Sequence, residues 1–362
     1  MKELNWLYTL KDEVLEFLEH QKSKKVKGYY RYSYSGDLYD ETKHWNIGSS
    51  VYALKIYYTL GIEKNQEITD TANYIKSFYH KNGEIYDDFI FKKAFIRNIA
   101  SSIKHKRWAN ILNEQYKRAE TRQSYSSLML YDELPDKTML DIPNNENEIN
   151  TFLDKLNWNE PWGAGSHFSH LMFFYRLAKQ SNMIDEEEFD ILTDYAINWI
   201  ETIRDQKSGG WYKGIQEDRF IVNGAMKIIT GLIAVDKTKF NYAKELIDTC
   251  LRSTNDEHAC DNFNIILVLN YASKLLSRDY RQSEIEKFAI NRLAKYKAHY
   301  KKEQGGFSFF PFSANHNYYG AKITKGLNEA DIHGTVLFLW GIAIASQILG
   351  IEKEIGFKEF IT

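Results

Sequence analysis

The sequence predicts an all-α fold in which about six inner and six outer helices form two concentric rings, one domain over residues 1–362. Two observations predict it. Stretches that are apolar nearly all round alternate with stretches apolar on one face only. Nothing strand-like of useful length interrupts them, and three of only four prolines, Pro135, Pro143 and Pro161, fall together between helices. A helix apolar all round needs neighbours on every side, and an amphipathic one needs them on one side. Concentric rings meet both demands. The polar segment Pro143–Asn150 is too short for a domain linker, and single barrels of this length are common.

The elements follow in order. Leu4, Leu7, Leu10, Val14, Leu15 and Leu18 keep helical spacing, so residues 3–20 form a surface helix with one buried stripe. An aromatic loop spans Lys27–Trp45. Gly48–Leu60 starts with small residues and is apolar all round, an inner helix. Ile68–Tyr79 is amphipathic and ends in the Gly turn HKNGEIYDD. Phe91–Trp108 is a basic helix. The inner candidates after it are Glu114–Tyr131, Gly163–Leu177, Val222–Val235, Cys260–Leu275 and Asp331–Leu349. The outer ones are Glu148–Leu156, Glu187–Arg204, Phe240–Leu251 and Ser283–Tyr300.

Composition excludes several classes. A net charge of −2 leaves no basic field for nucleic acid and no acidic tail. Two cysteines, Cys250 and Cys260, are too few for a disulfide framework and fit a reducing compartment. The N-terminus is amphipathic, with five acids, and shows no signal-peptide core. No run is expected to reach the roughly 18 apolar residues of a membrane span. A cytoplasmic protein is the expectation, with no nucleic-acid partner and no membrane insertion. Aromatics make up 15%, which suits either a Tyr-rich core or an aromatic-lined cleft. No Walker A loop, dinucleotide-binding glycine fingerprint or Gly-x-Ser-x-Gly elbow occurs.

QKSGGW at Gln206–Trp211 fits the Gln-x(2–5)-Gly-x-Trp repeat of squalene and hopene cyclases, and EQGGF at Glu303–Phe307 and HKNGEI at His80–Ile85 are partial copies. These turns resemble those of the α/α toroid, or six-hairpin barrel, shared by terpenoid cyclases, protein prenyltransferases and many carbohydrate-active enzymes. The resemblance implies the fold. The acid motif of class II terpene cyclases is absent. In such a toroid the inner helices present their N-termini to one face, where loops line a pocket and the helix ends favour anions.

Polar and Trp residues recur at those positions: His44, Trp45 and Asn46; Glu120 and Arg122; Trp158, Glu160, Trp162, Ser166, His167 and His170; Asn223 and Lys227; Asp261 and Asn262; Glu329, Asp331 and His333. Capping accounts for many of the Asn, Asp and Ser residues, but not for the Trp residues, His167, His333, Arg122 or Lys227. WNEPWGAGSHFSH, from Trp158 to His170, sets two indoles beside a carboxylate, which suits stacking on a sugar. ANHNYYG, from Ala314 to Gly320, is similar to the Asn-His-x-Tyr element of toroidal alginate lyases. WNEPWG is similar to the Trp-rich helix entry of chondroitin and hyaluronate lyases. Both occur in a different order along this chain. In such lyases Asn or Arg neutralises the uronate carboxylate, His or Tyr takes the adjacent proton, and Tyr protonates the leaving oxygen. EADIHGT, from Glu329 to Thr335, offers paired carboxylates of the kind a glycosidase uses. Capping serves Asp331 equally well, and rim packing serves ANHNYYG.

The combined reading is a carbohydrate-active enzyme, a glycan lyase or glycoside hydrolase, acting on a small-molecule or oligosaccharide substrate. His316, Tyr318, Tyr319, His333, Asp331 and Glu160 are the candidate catalytic groups. Trp45, Trp158, Trp162 and Trp211 are expected as stacking subsites. His167, Arg122, Asn223, Lys227, Asp261 and Glu329 complete the binding set. No cofactor is expected. The alternative is isoprenoid transfer: protein prenyltransferases bind zinc through Asp-x-Cys and a later His, and the comparable positions here are His258, Cys260 and His333, with His replacing the Asp. A third class is a non-catalytic glycan- or protein-binding toroid.

Overall fold

The computed structural model describes residues 2–104, 114–135, 141–277 and 280–362. The chain is predominantly helical, with fourteen α-helices among these residues. Six are buried nearly all round: α2 (Ile47–Thr59), α5 (Glu114–Met129), α7 (Pro161–Gln180), α9 (Asp218–Ala234), α11 (Ala259–Ser273) and α13 (Ile332–Leu349). They touch in chain order, α2 to α5, α5 to α7, α7 to α9, α9 to α11 and α11 to α13, and α13 returns to α2. The six contacts close a cycle.

Six further helices are buried on one side only. These are α1 (Leu10–Gln21), α3 (Gln66–Lys76), α6 (Glu146–Asp154), α8 (Glu186–Glu201), α10 (Ala243–Arg252) and α12 (Gln282–His299). Helix α3 packs on α2, α8 on α6 and α7, α10 on α9 and α11, and α12 on α11 and α13. Three of them start at capping residues. Asn65, Asn145 and Asp185 accept the backbone N–H of Ile68, Glu148 and Glu188 at 3.1, 3.0 and 2.9 Å.

Three features depart from the sequence reading. The first helix divides into a 3₁₀ segment, Lys2–Tyr8, and α1. The basic helix is α4 (Asp88–Lys104), and the expected end at Trp108 lies outside the described residues. It lies against a short hairpin, β3 (Asn317–Tyr318) with β4 (Ala321–Lys322). Finally, α13 is long and apolar enough to cross a membrane, with 18 residues of mean hydropathy 1.7, contrary to the expectation that no run would be. It is mostly buried, packed against α2, α11 and α12.

The three Gly-aromatic turns are architectural. Arg204 bridges Trp211, Tyr79 bridges Ile85, and β1 (Tyr300–Lys301) pairs with β2 (Gly306–Phe307). Gly209 and Gly305 both have φ of +71°, and a Cβ on either would run into a neighbouring backbone. α7 and α9 approach closely because Gly165 faces the Gly224 carbonyl and Gly224 faces Pro161. The small residues of GAGSH thus serve helix contact.

Two substitutions test that packing. A Cβ at Gly224 would lie 2.6 Å from that of Pro161, whereas one at Gly163 would meet nothing within 4 Å. Gly224→Ala is expected to destabilise by about 1–3 kcal/mol. Gly163→Ala is expected to be neutral or to stabilise by up to about 1 kcal/mol. Denaturant unfolding of both variants checks the contrast.

Candidate functional site

The side chains that meet inside the cycle come from the first three turns of its helices and from the loop before α13. That loop is organised by Asp331, which caps α13. Its Oδ1 accepts Gly334 N–H at 2.7 Å, and its Oδ2 accepts Phe309 N–H at 2.7 Å and Asn315 N–H at 3.0 Å. Burial pushes its carboxyl up to about 7, against the pull of these donors. Glu329 is likewise engaged, by Ser35 N–H and Oγ, each at 2.8 Å. Both carboxylates expected near the chemistry therefore hold backbone in place.

His333 lies two residues into α13's capping region. Its Nδ1 is 3.0 Å from the Tyr32 hydroxyl and 3.3 Å from Asn315 Nδ2. The Asn315 amide can only donate, so Nδ1 accepts and the ring proton sits on Nε2. The ring stacks on Tyr52 with centroids 4.7 Å apart. Burial, helped by the charges of His258, Lys227 and Lys55, pulls its pKa down to about 3. His333 is a neutral imidazole with an N–H to give.

The β3–β4 hairpin inserts Tyr318 and Tyr319 into the same interior. Helix α4 anchors it: Asn98 Nδ2 donates to the Tyr319 carbonyl at 3.0 Å, and Arg97 donates to Asn317 Oδ1 and the Gly320 carbonyl at 3.1 Å each. Tyr318 donates its hydroxyl to Glu120 Oε1 at 2.8 Å, and Glu120 Oε2 accepts the Asp87 N–H at 2.8 Å. Burial, then the Asp87 charge, raises the Glu120 carboxyl well above its ordinary range. Tyr319 packs beside Tyr318 with centroids 4.5 Å apart and carries a positive φ of 43°. Burial raises its phenol and the Arg122 charge opposes the rise.

The opposite side is cationic. Arg122 is 2% exposed, its Nε has no partner, and its guanidinium makes no hydrogen bond or ion pair among the described residues. Lys227 on α9 has no acid either; its Nζ stands 5.0 Å over the Trp162 indole. Burial and then the Arg122 charge bring Lys227 down to about 8. His170 is 4% exposed, with Nδ1 unpartnered and Nε2 3.4 Å from Ser166 Oγ. His167 is half-buried beside it, drawn down to about 4 by burial and then by Arg118. Asn223 belongs to an amide network, donating to Asp261 Oδ1 at 3.1 Å and accepting from Asn255 and Asn264. Next to this side, a cavity of about 240 Å³ is lined by Asn82, Glu84, Arg118, Thr121, Asp141, Ile142 and Phe174.

Other expected residues lie elsewhere. Trp45, Trp158 and Trp211 are core residues whose indole N–H groups donate to the Asp40 carbonyl, the Leu153 carbonyl and Glu201. None offers a face to a sugar; Trp211 is covered by Arg204 at 3.6 Å. Trp162, 51% exposed, is the one indole of the four available for stacking. Glu160 is exposed at the start of α7. His316 rests against Gly326. The zinc set does not fit a metal: His258 Nδ1 accepts the Asp261 N–H to cap α11, and His333 Nδ1 faces Tyr32. No three His, Cys, Asp or Glu residues converge among those described.

Sequence reasoning missed Tyr32, Tyr52, Lys55 and Arg118. Tyr52 and Lys55 were detectable as polar residues three apart in a helix that is otherwise apolar all round. Lys55 is buried and donates to Gln123 and Thr362. No family model, curated protein or solved structure matches the chain.

Asp331→Ala is expected to cost about 2 kcal/mol or more in denaturant unfolding, since a cap is worth about 0.5–2 kcal/mol and further buried donors are left unpaired. His333, lowered from 6.5 to about 3 in the fold, contributes stability that is complete above pH 6.5 and lost as pH falls through about 3. Its imidazole NMR signals are expected to stay those of a neutral ring down to about pH 5, whereas an ordinary histidine is charged there.

Proposed function

We propose that the chain is a single α/α toroid and a carbohydrate-active enzyme whose chemistry is elimination from an acidic sugar. The closed contact cycle of six helices, with one-sided helices packed against it, supports the toroid. The observation that carries the function is the line of groups Glu120, Tyr318, Tyr319 and Arg122 inside that cycle. It joins a carboxylate of raised proton affinity to two phenols and an unpaired guanidinium.

This set fits the β-elimination of a uronate. Arg122 and Lys227 neutralise the sugar carboxylate and so acidify the C–H beside it. Tyr318 passes its hydroxyl proton to Glu120 as its oxygen takes the C–H proton. The C–O bond to the leaving sugar breaks, a C=C bond forms, and Tyr319 protonates the departing oxygen. The proton on Glu120 returns through Tyr318 to Tyr319, so the cycle consumes no water. His333 gives its Nε2–H to a ring or hydroxyl oxygen, and the exposed face of Trp162 supports a neighbouring sugar. Glycoside hydrolysis is the weaker variant, because it needs two carboxyl groups free to act and Asp331, Glu329 and Asp261 are engaged by backbone or side-chain donors.

A panel of uronate-containing oligosaccharides, read by the ultraviolet absorbance of an unsaturated product, tests this. Tyr318→Phe, Tyr319→Phe and His333→Gln are each expected to lower turnover by about 10²–10⁴-fold with the fold intact. Unchanged activity in the tyrosine variants, or products that are all saturated, would overturn the mechanism.

A further inference from the structure

Arg122 on α5 and Lys227 on α9 make no ion pair among the described residues, and the neighbouring imidazoles of His170 and His167 on α7 are held neutral. Arg118 on α5 adds positive charge, with Glu84 and Asp141 as its nearby acids, while burial disfavours the ammonium form of Lys55 on α2. Cys260 on α11 is pushed up to about 12 and is a neutral thiol. The nearest carboxyl along α5, Glu120, is turned to Tyr318 and the Asp87 backbone. Taking a guanidinium out of water without a partner is strongly unfavourable. Arg122 Nε is a buried donor that the fold leaves unpaired, and His170 Nδ1 is a second buried nitrogen without a partner; such atoms mark a place where something else makes those bonds.

We propose that Arg122, Lys227 and His170 form an oxyanion-binding site that receives the carboxylate or phosphate of a ligand entering past Trp162. A planar guanidinium holds two oxygens of one such group, and the ammonium adds a point charge. Lys227 links the site to the surface, because its Nζ lies against the half-exposed Trp162 indole. The same indole gives the uncharged part of the ligand a flat face. This deepens the proposed function by fixing the charge of its substrate and rests on that reading for the sugar, but binding is measured without turnover, so the two fail separately.

The test is isothermal titration at constant ionic strength with glucuronate, inorganic phosphate and glucose. Glucuronate and phosphate are expected to bind saturably and glucose not to. Tighter binding of glucuronate assigns a sugar carboxylate, and tighter binding of phosphate assigns a phosphorylated ligand. Arg122→Gln and Lys227→Gln are each expected to weaken the anion at least about tenfold, while Arg122→Lys retains part of the affinity. In thermal unfolding without anion, Arg122→Gln is expected to melt at or above the wild-type temperature, since it removes an unpaired buried charge, and to lose the anion-induced rise. If Arg122→Gln does not fold, Lys227→Gln, at a half-buried and unbonded position, carries the test. Absence of saturable anion binding, or affinity unchanged in Lys227→Gln, overturns the site.

Discussion

The cost of keeping polar groups away from water inside a closed set of helices governs this molecule. Six helices buried nearly all round, and the loops packed against them, carry tyrosines, histidines, carboxyls and cations that water reaches poorly. Each such group has to find a partner, change its charge or stay uncompensated. The first course is taken by Asp331, which ties the loop to α13, and by Asn223, which gathers Asn255, Asn264 and Asp261. The second is taken by His333 and His170, neutral at ordinary pH. The third is left to Arg122 and the buried nitrogen of His170.

This sorting separates structure from chemistry more sharply than residue type does. Asp331 and Glu329 have the composition of an acid pair, yet their carboxylates accept from Ser35, from loop backbone and from the capped start of α13. The tyrosines of the hairpin invert that pattern. Nothing in the architecture of a helical cycle calls for two phenols pushed between α2 and α5, and α4 spends Arg97 and Asn98 holding them there. Gly48 has to lack a side chain because a Cβ there would overlap the Tyr318 ring. The functional reading rests on groups that the fold does not otherwise use.

Much of the fold was legible in the sequence. Helix type followed from whether apolar residues ran round the helix or down one face, as α13 and α10 illustrate. The candidate site was legible in part. Arg122, Lys227 and His333 stood out as charged or polar positions in apolar helices, and Tyr318 and Tyr319 as aromatics in an irregular loop. The indoles misled, because Trp45, Trp158 and Trp211 satisfy their N–H groups on carbonyl or carboxylate oxygens five, five and ten residues away in the chain and pack inward. The role of α4 was hidden because its partner hairpin lies more than two hundred residues away.

The central claim is that the interior of the six-helix cycle is a place for an anionic ligand and not a sealed core. Crystals grown in selenate, examined at the selenium absorption edge, test it most directly. The account predicts an anomalous peak about 4 Å from Arg122 nitrogens, on the Lys227 side, with a selenate oxygen within hydrogen-bond distance of them. Peaks confined to surface lysines, with Arg122 paired to a protein carboxylate, would contradict it.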